Sequence, residues 1–282
     1  MILRGRLHSW RGAGGVEGVD ERSVPPLRFA FVSPFDAMDP RAAYSVVRGD
    51  AVAVLRSLAD ESVDLVVTDP PYESLEKHRA RGTTTRLKHS KASSNDWFSI
   101  FPNARFEELL AEVYRVLRRD RHFYLWCDQE TMFVAKPIAE RVGFKFWKPL
   151  VHDKCVIGMG YHYRARYELV LFFEKGKRKL ADLGVPDIIA AKRIRGGYPT
   201  EKPIEVARVL VSQSARPGEL VVDPFAGSGV VGAAALEHGC DFLGGDTSDE
   251  AVALSARRLS NLGRESAWIS APYVIATHPE EP

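Results

Sequence analysis

From residue 43 onward the chain alternates between two hydrophobic rhythms. AYSVVRGD (43–50), VDLVVTD (63–69), HFYLWC (122–127) and DFLGGD (241–246) are short apolar runs with the length and side chains of buried strands. FKFWKPLVHD (144–153) and YELVLFFEKG (167–176) read as two more, and residues 220–239 as strand, glycine-rich turn and helix. Helical spacing fills the intervals. AVAVLRSLAD (51–60) is short; NARFEELLAEVYRVLRRD (103–120) is the clearest, with Phe106, Leu109, Leu110, Val113 and Leu117 on one face and Arg118–Arg119 suited to its C-terminal end. Residues 129–143 form a helix that Pro137 would interrupt. A helix starts near Pro203 and stops before Pro217–Gly218, and 248–262 forms another with Ser248 as N-cap.

Strands alternating with helices predict an α/β fold with a doubly wound, mostly parallel sheet. Residues 43–262 form one domain, 1–42 a flexible Gly/Pro/Arg-rich arm and 263–282 a tail. Ligands in such sheets gather at the carboxyl ends of strands. The residues to watch are therefore Asp50, Asp69, Cys127–Asp128, Asp223 and Asp246.

Composition narrows this in two ways. No apolar run reaches a membrane span, and the N-terminus has no signal-peptide core. The three cysteines are far apart without a CxxC pair, which predicts no metal site and fits a reducing cytoplasm. The net charge of +2 is unevenly spread: residues 73–95, 136–168 and 174–202 each carry +4, leaving the remainder at −10. Basic segments on an acidic body predict a polyanion partner.

GSGVVG (227–232) matches GxGxxG between a strand and a helix, with Asp246 ending the next strand. A dinucleotide is the obvious ligand, but Asp223, Asp69 and Asp50 at the same sheet edge would oppose a pyrophosphate. Only 53 residues follow Gly229, so earlier strands must complete the sheet and the order is circularly permuted. A ligand with an adenosine, a positive centre and no phosphate fits better, and that is S-adenosyl-L-methionine. Asp246 would bind its ribose and Asp50 its adenine amino group.

TDPPY (68–72), PTEKP (199–203) and DPFAGSG (223–229), in this order, resemble the permuted β-type amino-group DNA methyltransferases, over roughly residues 43–262. The resemblance implies a Rossmann-like fold of seven strands, one inserted antiparallel, the antiparallel end coming from 144–153 and 167–176. It assigns cofactor contacts to Asp50, Thr200, Lys202, Pro203, Asp223, Pro224, Phe225, Ala226, Gly227, Ser228, Gly229 and Asp246. Tyr198 stands where the family has histidine.

The catalytic stretch is Asp69, Pro70, Pro71 and Tyr72. An exocyclic amine is a poor nucleophile because its lone pair is delocalised into the ring. The Asp69 carboxylate and the Pro70 carbonyl, accepting its two N–H bonds, would make it tetrahedral, and Pro71 holds Pro70 extended. Tyr72 would stack on a flipped-out base. Cytosine C5 chemistry needs a cysteine after proline, and no cysteine here has one. The 73–97 loop is expected to cover the base and 174–198 to be a short target-recognition insert, with Lys77, Arg79, Arg81, Arg86, Lys88, Arg164, Arg166, Arg193 and Arg195 meeting DNA. The expected activity is adenine N6 methylation of duplex DNA. Cytosine N4 methylation is the principal alternative; RNA or protein amide methylation and a silent DNA-binding module are more distant ones. A homodimer and a cognate restriction endonuclease are further partners that such enzymes allow.

Overall fold

The computed structural model describes residues 44–73, 99–158, 162–194, 198 and 200–262. The predicted arm (1–42), the predicted base-covering loop from residue 74 onward and the predicted tail lie outside these residues.

Among the described residues eight strands form one sheet: β1 Tyr44–Arg48, β2 Val63–Thr68, β3 Leu117–Cys127, β4 Lys145–Asp153, β5 Tyr167–Lys175, β6 Ile188–Ala190, β7 Leu220–Asp223 and β8 Asp241–Asp246. Six helices accompany them: α1 Ala51–Arg56, α2 Phe106–Val116, α3 Gln129–Val142, α4 Ile204–Ser214, α5 Val230–Glu237 and α6 Asp249–Ser260. The order across the sheet is β1-β8-β7-β2-β3-β5-β4-β6. Every pairing is parallel except those of β5 with β3 and β4. The expected single antiparallel strand is therefore β5. The sheet has eight strands rather than seven because β6, only three residues long, pairs with β4 inside the stretch 174–198.

Both faces are covered, as a parallel sheet requires. Along β2, Val63 and Val66 face one cluster with α1, α2 and α3, while Leu65 and Val67 face a second with α4, α5 and α6. The apolar face of α2 is buried as predicted, but the helix ends at Val116 and not at residue 120. Leu117 turns extended and pairs with Val63, so Arg118 becomes a strand residue whose guanidinium meets Asp64 at 2.8 Å. Pro137 does not break α3. Its missing N–H leaves only the carbonyl of Phe133 unbonded, and Phe133 lies at the surface where water can serve.

The glycine turn positions the site. Gly229 starts α5 in the left-handed region (φ +77), and a Cβ there would strike Ser255 of α6. Gly232 lets α5 lie directly against the Phe242 ring of β8.

Candidate active site

The strand order puts β1, β8, β7 and β2 side by side, so the acids that follow or end them, Asp50, Asp246, Asp223 and Asp69, form a row along the carboxyl edge. All four line one cavity of about 560 Å³, together with residues 70–72, 99–101 and 223–228. Four carboxylates on one wall repel one another, and each needs its own compensation.

Asp69 has it from two sides. Its Oδ1 accepts the Tyr72 hydroxyl at 2.8 Å, and its Oδ2 lies 2.6 Å from Lys202 Nζ. Burial pushes the Asp69 pKa up, against the opposing pull of Lys202. Lys202 reaches a second carboxylate, Glu168, at 3.4 Å. Burial opposes the charge on Lys202, but the two carboxylates outweigh it and hold the ammonium above its usual value. The Pro71 carbonyl accepts the Phe101 N–H at 2.8 Å, and Tyr72 forms a parallel bridge with Phe101. Among the described residues no backbone N–H is directed at the Pro70 carbonyl. Tyr72 is only 9% exposed, a packed ring whose hydroxyl contact with Asp69 the sequence reading did not assign.

The glycine turn is organised by its own acids. Asp223 Oδ1 accepts from Thr68 Oγ1 at 2.7 Å and from the Phe225 N–H at 3.0 Å. Burial still pushes its pKa up to about 7. Asp246 accepts the N–H of Gly227 on one oxygen and of Ser248 on the other, which partly offsets the upward push of its burial. Asp50 caps α1 and is gripped by both terminal nitrogens of Arg105 at 2.7 and 2.8 Å, a pairing that lowers its pKa. Arg105 also covers the Phe101 ring at 5.0 Å, and Phe101 meets Phe225 edge-on at 5.2 Å. Thr200 takes a left-handed conformation (φ +62), rare for a β-branched residue. Glu201 then reaches Arg258, which also donates to Ser228 of the glycine turn.

The cavity thus gathers Asp69, Pro70, Pro71, Tyr72, Asp50, Thr200, Lys202, Pro203, residues 223–228 and Asp246. Gly229 stands just beyond, at the head of α5. Arg193 lines the same cavity, whereas Arg164 donates to the Gly158 carbonyl and Arg166 grips Asp153, holding it down to about 2. Lys77, Arg79, Arg81, Arg86, Lys88 and Arg195 lie outside the described residues. Sequence reasoning missed Phe101, Arg105, His152, Lys154 and Glu168, which also line the cavity. Glu168 lies near the beginning of β5, and because β5 is antiparallel its beginning meets the carboxyl ends of its neighbours. A search confined to residues that end strands passes over it.

This is the layout of a doubly wound sheet built to take a ligand across its carboxyl edge. A family model for DNA methylases acting at N6 or N4 matches residues 63–194 and 186–257, and the chain belongs to that N6/N4 DNA methylase family. The DNA adenine methyltransferase YhdJ of Escherichia coli (strain K12) is 26% identical over 263 residues, covering 80% of this chain and 85% of its own. The solved structure of M1.HpyAVI in complex with SAM has a TM-score of 0.58 at 19% identity, covering 77% of this chain and 99% of that one. The PvuII DNA methyltransferase, described as cytosine-N4-specific, has a TM-score of 0.60 at 18% identity, covering 77% and 86%.

Proposed function

We propose that this DNA methyltransferase moves a methyl group from S-adenosyl-L-methionine to the exocyclic N6 amino group of adenine in duplex DNA. The observation that carries the reading is the row of four carboxylates on one cavity wall, next to the Pro70 carbonyl. Such a wall suits a cationic nucleoside and repels a phosphate. A cavity of about 560 Å³ is in the usual range for a small-molecule site. The residues present therefore fit the cofactor. In this reading Asp246 holds the ribose, Asp50 the adenine amino group and Phe225, backed by Phe101, the adenine face. The glycine turn and the segment 200–203 close around the rest. When bound, S-adenosylmethionine supplies a methyl on positive sulfur, which departs without its bonding pair as the amine's lone pair forms the new bond.

The protein's own part is to make that lone pair available. Asp69 and the Pro70 carbonyl accept the two amine hydrogens and stabilise the positive charge that grows on nitrogen. Holding amine and methyl in line supplies a further share of the acceleration. The nitrogen then sheds its surplus proton to solvent. Tyr72 flanks the base, and Arg193 at the cavity rim, Arg164, Arg166 and the basic residues of 73–95 meet the DNA backbone.

The lead for adenine comes from the Asp-Pro-Pro-Tyr form of the catalytic stretch and from YhdJ, a relative named for adenine. The second reading is cytosine N4, favoured by the fold likeness to an enzyme described as cytosine-N4-specific. It needs the same two acceptors. Transfer of labelled methyl to duplex DNA, followed by nucleoside analysis, separates the two. N6-methyl-2′-deoxyadenosine supports the proposal and N4-methyl-2′-deoxycytidine the second reading; label in RNA or protein with none in DNA would overturn both.

A further inference from the structure

Lys202 sits where the resemblance places a cofactor contact, yet its ammonium lies between two carboxylates that belong to different strands. Asp69, just past the end of β2, is 2.6 Å away, and Glu168 of β5 is 3.4 Å away. The lysine is only 14% exposed. Glu168 also faces two side chains on β4 and just after it, His152 Nδ1 and the Lys154 ammonium, each at 3.6 Å. His152 is fixed by its other nitrogen, Nε2, which donates to the Ala191 carbonyl at 3.0 Å. Besides Lys202 and Glu168, Asp69 is faced by the Tyr72 hydroxyl, Cys127 of β3 and Asp223 of β7. Lys202 is the one cation among these neighbours of Asp69.

An amine substrate asks two incompatible things of Asp69. The carboxylate must be ionised to accept an N–H strongly and to offset the charge that grows on nitrogen, in a row of acids that disfavours ionisation. Its oxygen must also be free to receive the amine, although a cation now lies against it. We propose that Lys202 is a positioning residue with two seats: against Asp69 it keeps that carboxylate charged and oriented, and it moves onto Glu168 when the target amine arrives. Glu168 makes the move inexpensive, because the buried ammonium never lacks a counter-ion. The second seat also draws the lysine's positive charge away from the nitrogen on which positive charge develops. This inference rests on the proposed methyl transfer to an amine and goes beyond it, since a lysine serving the cofactor alone would need neither seat.

The test is a pH profile of single-turnover transfer to duplex DNA at saturating S-adenosylmethionine, for wild type, Lys202→Met, Lys202→Arg and Glu168→Gln. A neighbouring opposite charge lowers a carboxyl pKa by about 1–3 units, so K202M should move the acid limb upward by that amount and K202R should restore it. E168Q should slow transfer several-fold above the limb without moving the limb upward. Carbon-13 NMR titration of the Asp69 carboxyl in the cofactor-free proteins reads the same K202M shift without any need for activity. An unmoved limb and an unmoved Asp69 titration in K202M would overturn the proposal and leave Lys202 a cofactor contact. Undiminished transfer by E168Q would overturn the second seat. If wild type itself methylates no amine in DNA, the fault lies with the proposed function, a result distinct from either.

Discussion

Replacing Asp223 with Asn should uncouple cofactor binding from pH. The wild-type side chain ends β7 at 3% exposure. Burial carries its pKa from an ordinary 3.8 to about 7, with Asp69 and Asp246 adding repulsion. That gap of about three units corresponds to ~4 kcal/mol between the two protonation states. The folded value lies above the unfolded one, which fixes the sign. Below about pH 4 both states are protonated and the group is neutral to stability; from about 4 to 7 the folded protein holds the extra proton and stability falls as pH rises; above about 7 the whole penalty is present. A cationic ligand in the cavity favours the ionised form, so binding expels the proton. Affinity should then climb by up to about tenfold per pH unit on the approach to 7. Asn keeps an acceptor for Thr68 and the Phe225 N–H but has no proton to release. Calorimetric titration with S-adenosylmethionine in buffers of different ionisation heat measures this directly. Wild type should release up to about one proton more than D223N below pH 7, while urea melts should show D223N the more stable protein above that pH. Equal proton release by both proteins, or a wild-type affinity indifferent to pH, would refute the reasoning.

Three further outcomes test other parts of the structure. Gly229→Ala forces a Cβ into Ser255 at a left-handed position and should cost ~1–3 kcal/mol of unfolding free energy, so a wild-type melting curve would contradict the account of the turn. Asp64, at the far end of β2, is buried against Arg118, Arg121 and the Leu220 N–H; D64A strips the acceptor from that N–H while Arg118 is half-exposed and Arg121 keeps Glu219, so it should cost ~1–3 kcal/mol by urea unfolding and yet leave the cavity residues in place. Arg105→Ala releases Asp50, whose half-exposed pairing stabilises the fold by only ~0.5–1 kcal/mol. Because Arg105 depresses the Asp50 pKa, this contribution is present above about pH 4 and vanishes in acid, and a loss that persists in acid would point to another cause.

The main lines of the fold were legible because β2, the second half of β3, β5 and β7 are dominated by apolar residues, with acids, glycines or prolines near several of their ends. Asp50, Asp69, Asp223 and Asp246 could be picked out because parallel strands deliver their last residues to one edge. The end of α2 was not legible: Leu117 suits a helix face and a strand equally, and only pairing with Val63 decides between them. β6 escaped because three residues carry no period. Glu168 escaped for a topological reason, since an antiparallel strand brings its beginning to the edge where the others end. Arg105 and Phe101 lie just before α2, far in sequence from the Asp50 and Phe225 they touch, and no local pattern marks such contacts.

The central claim is that Asp69 accepts the amine that receives the methyl group. In Asp69→Ala, Lys202 still has Glu168 within 3.4 Å, so the buried ammonium is not left unpaired and the cavity should persist. The direct measurement compares wild type and D69A on the same duplex DNA, reading labelled methyl transfer and S-adenosylmethionine binding in parallel. Wild type should label an exocyclic amino group, while D69A should bind the cofactor and label nothing. Methyl transfer by D69A at a rate near that of wild type would contradict the account.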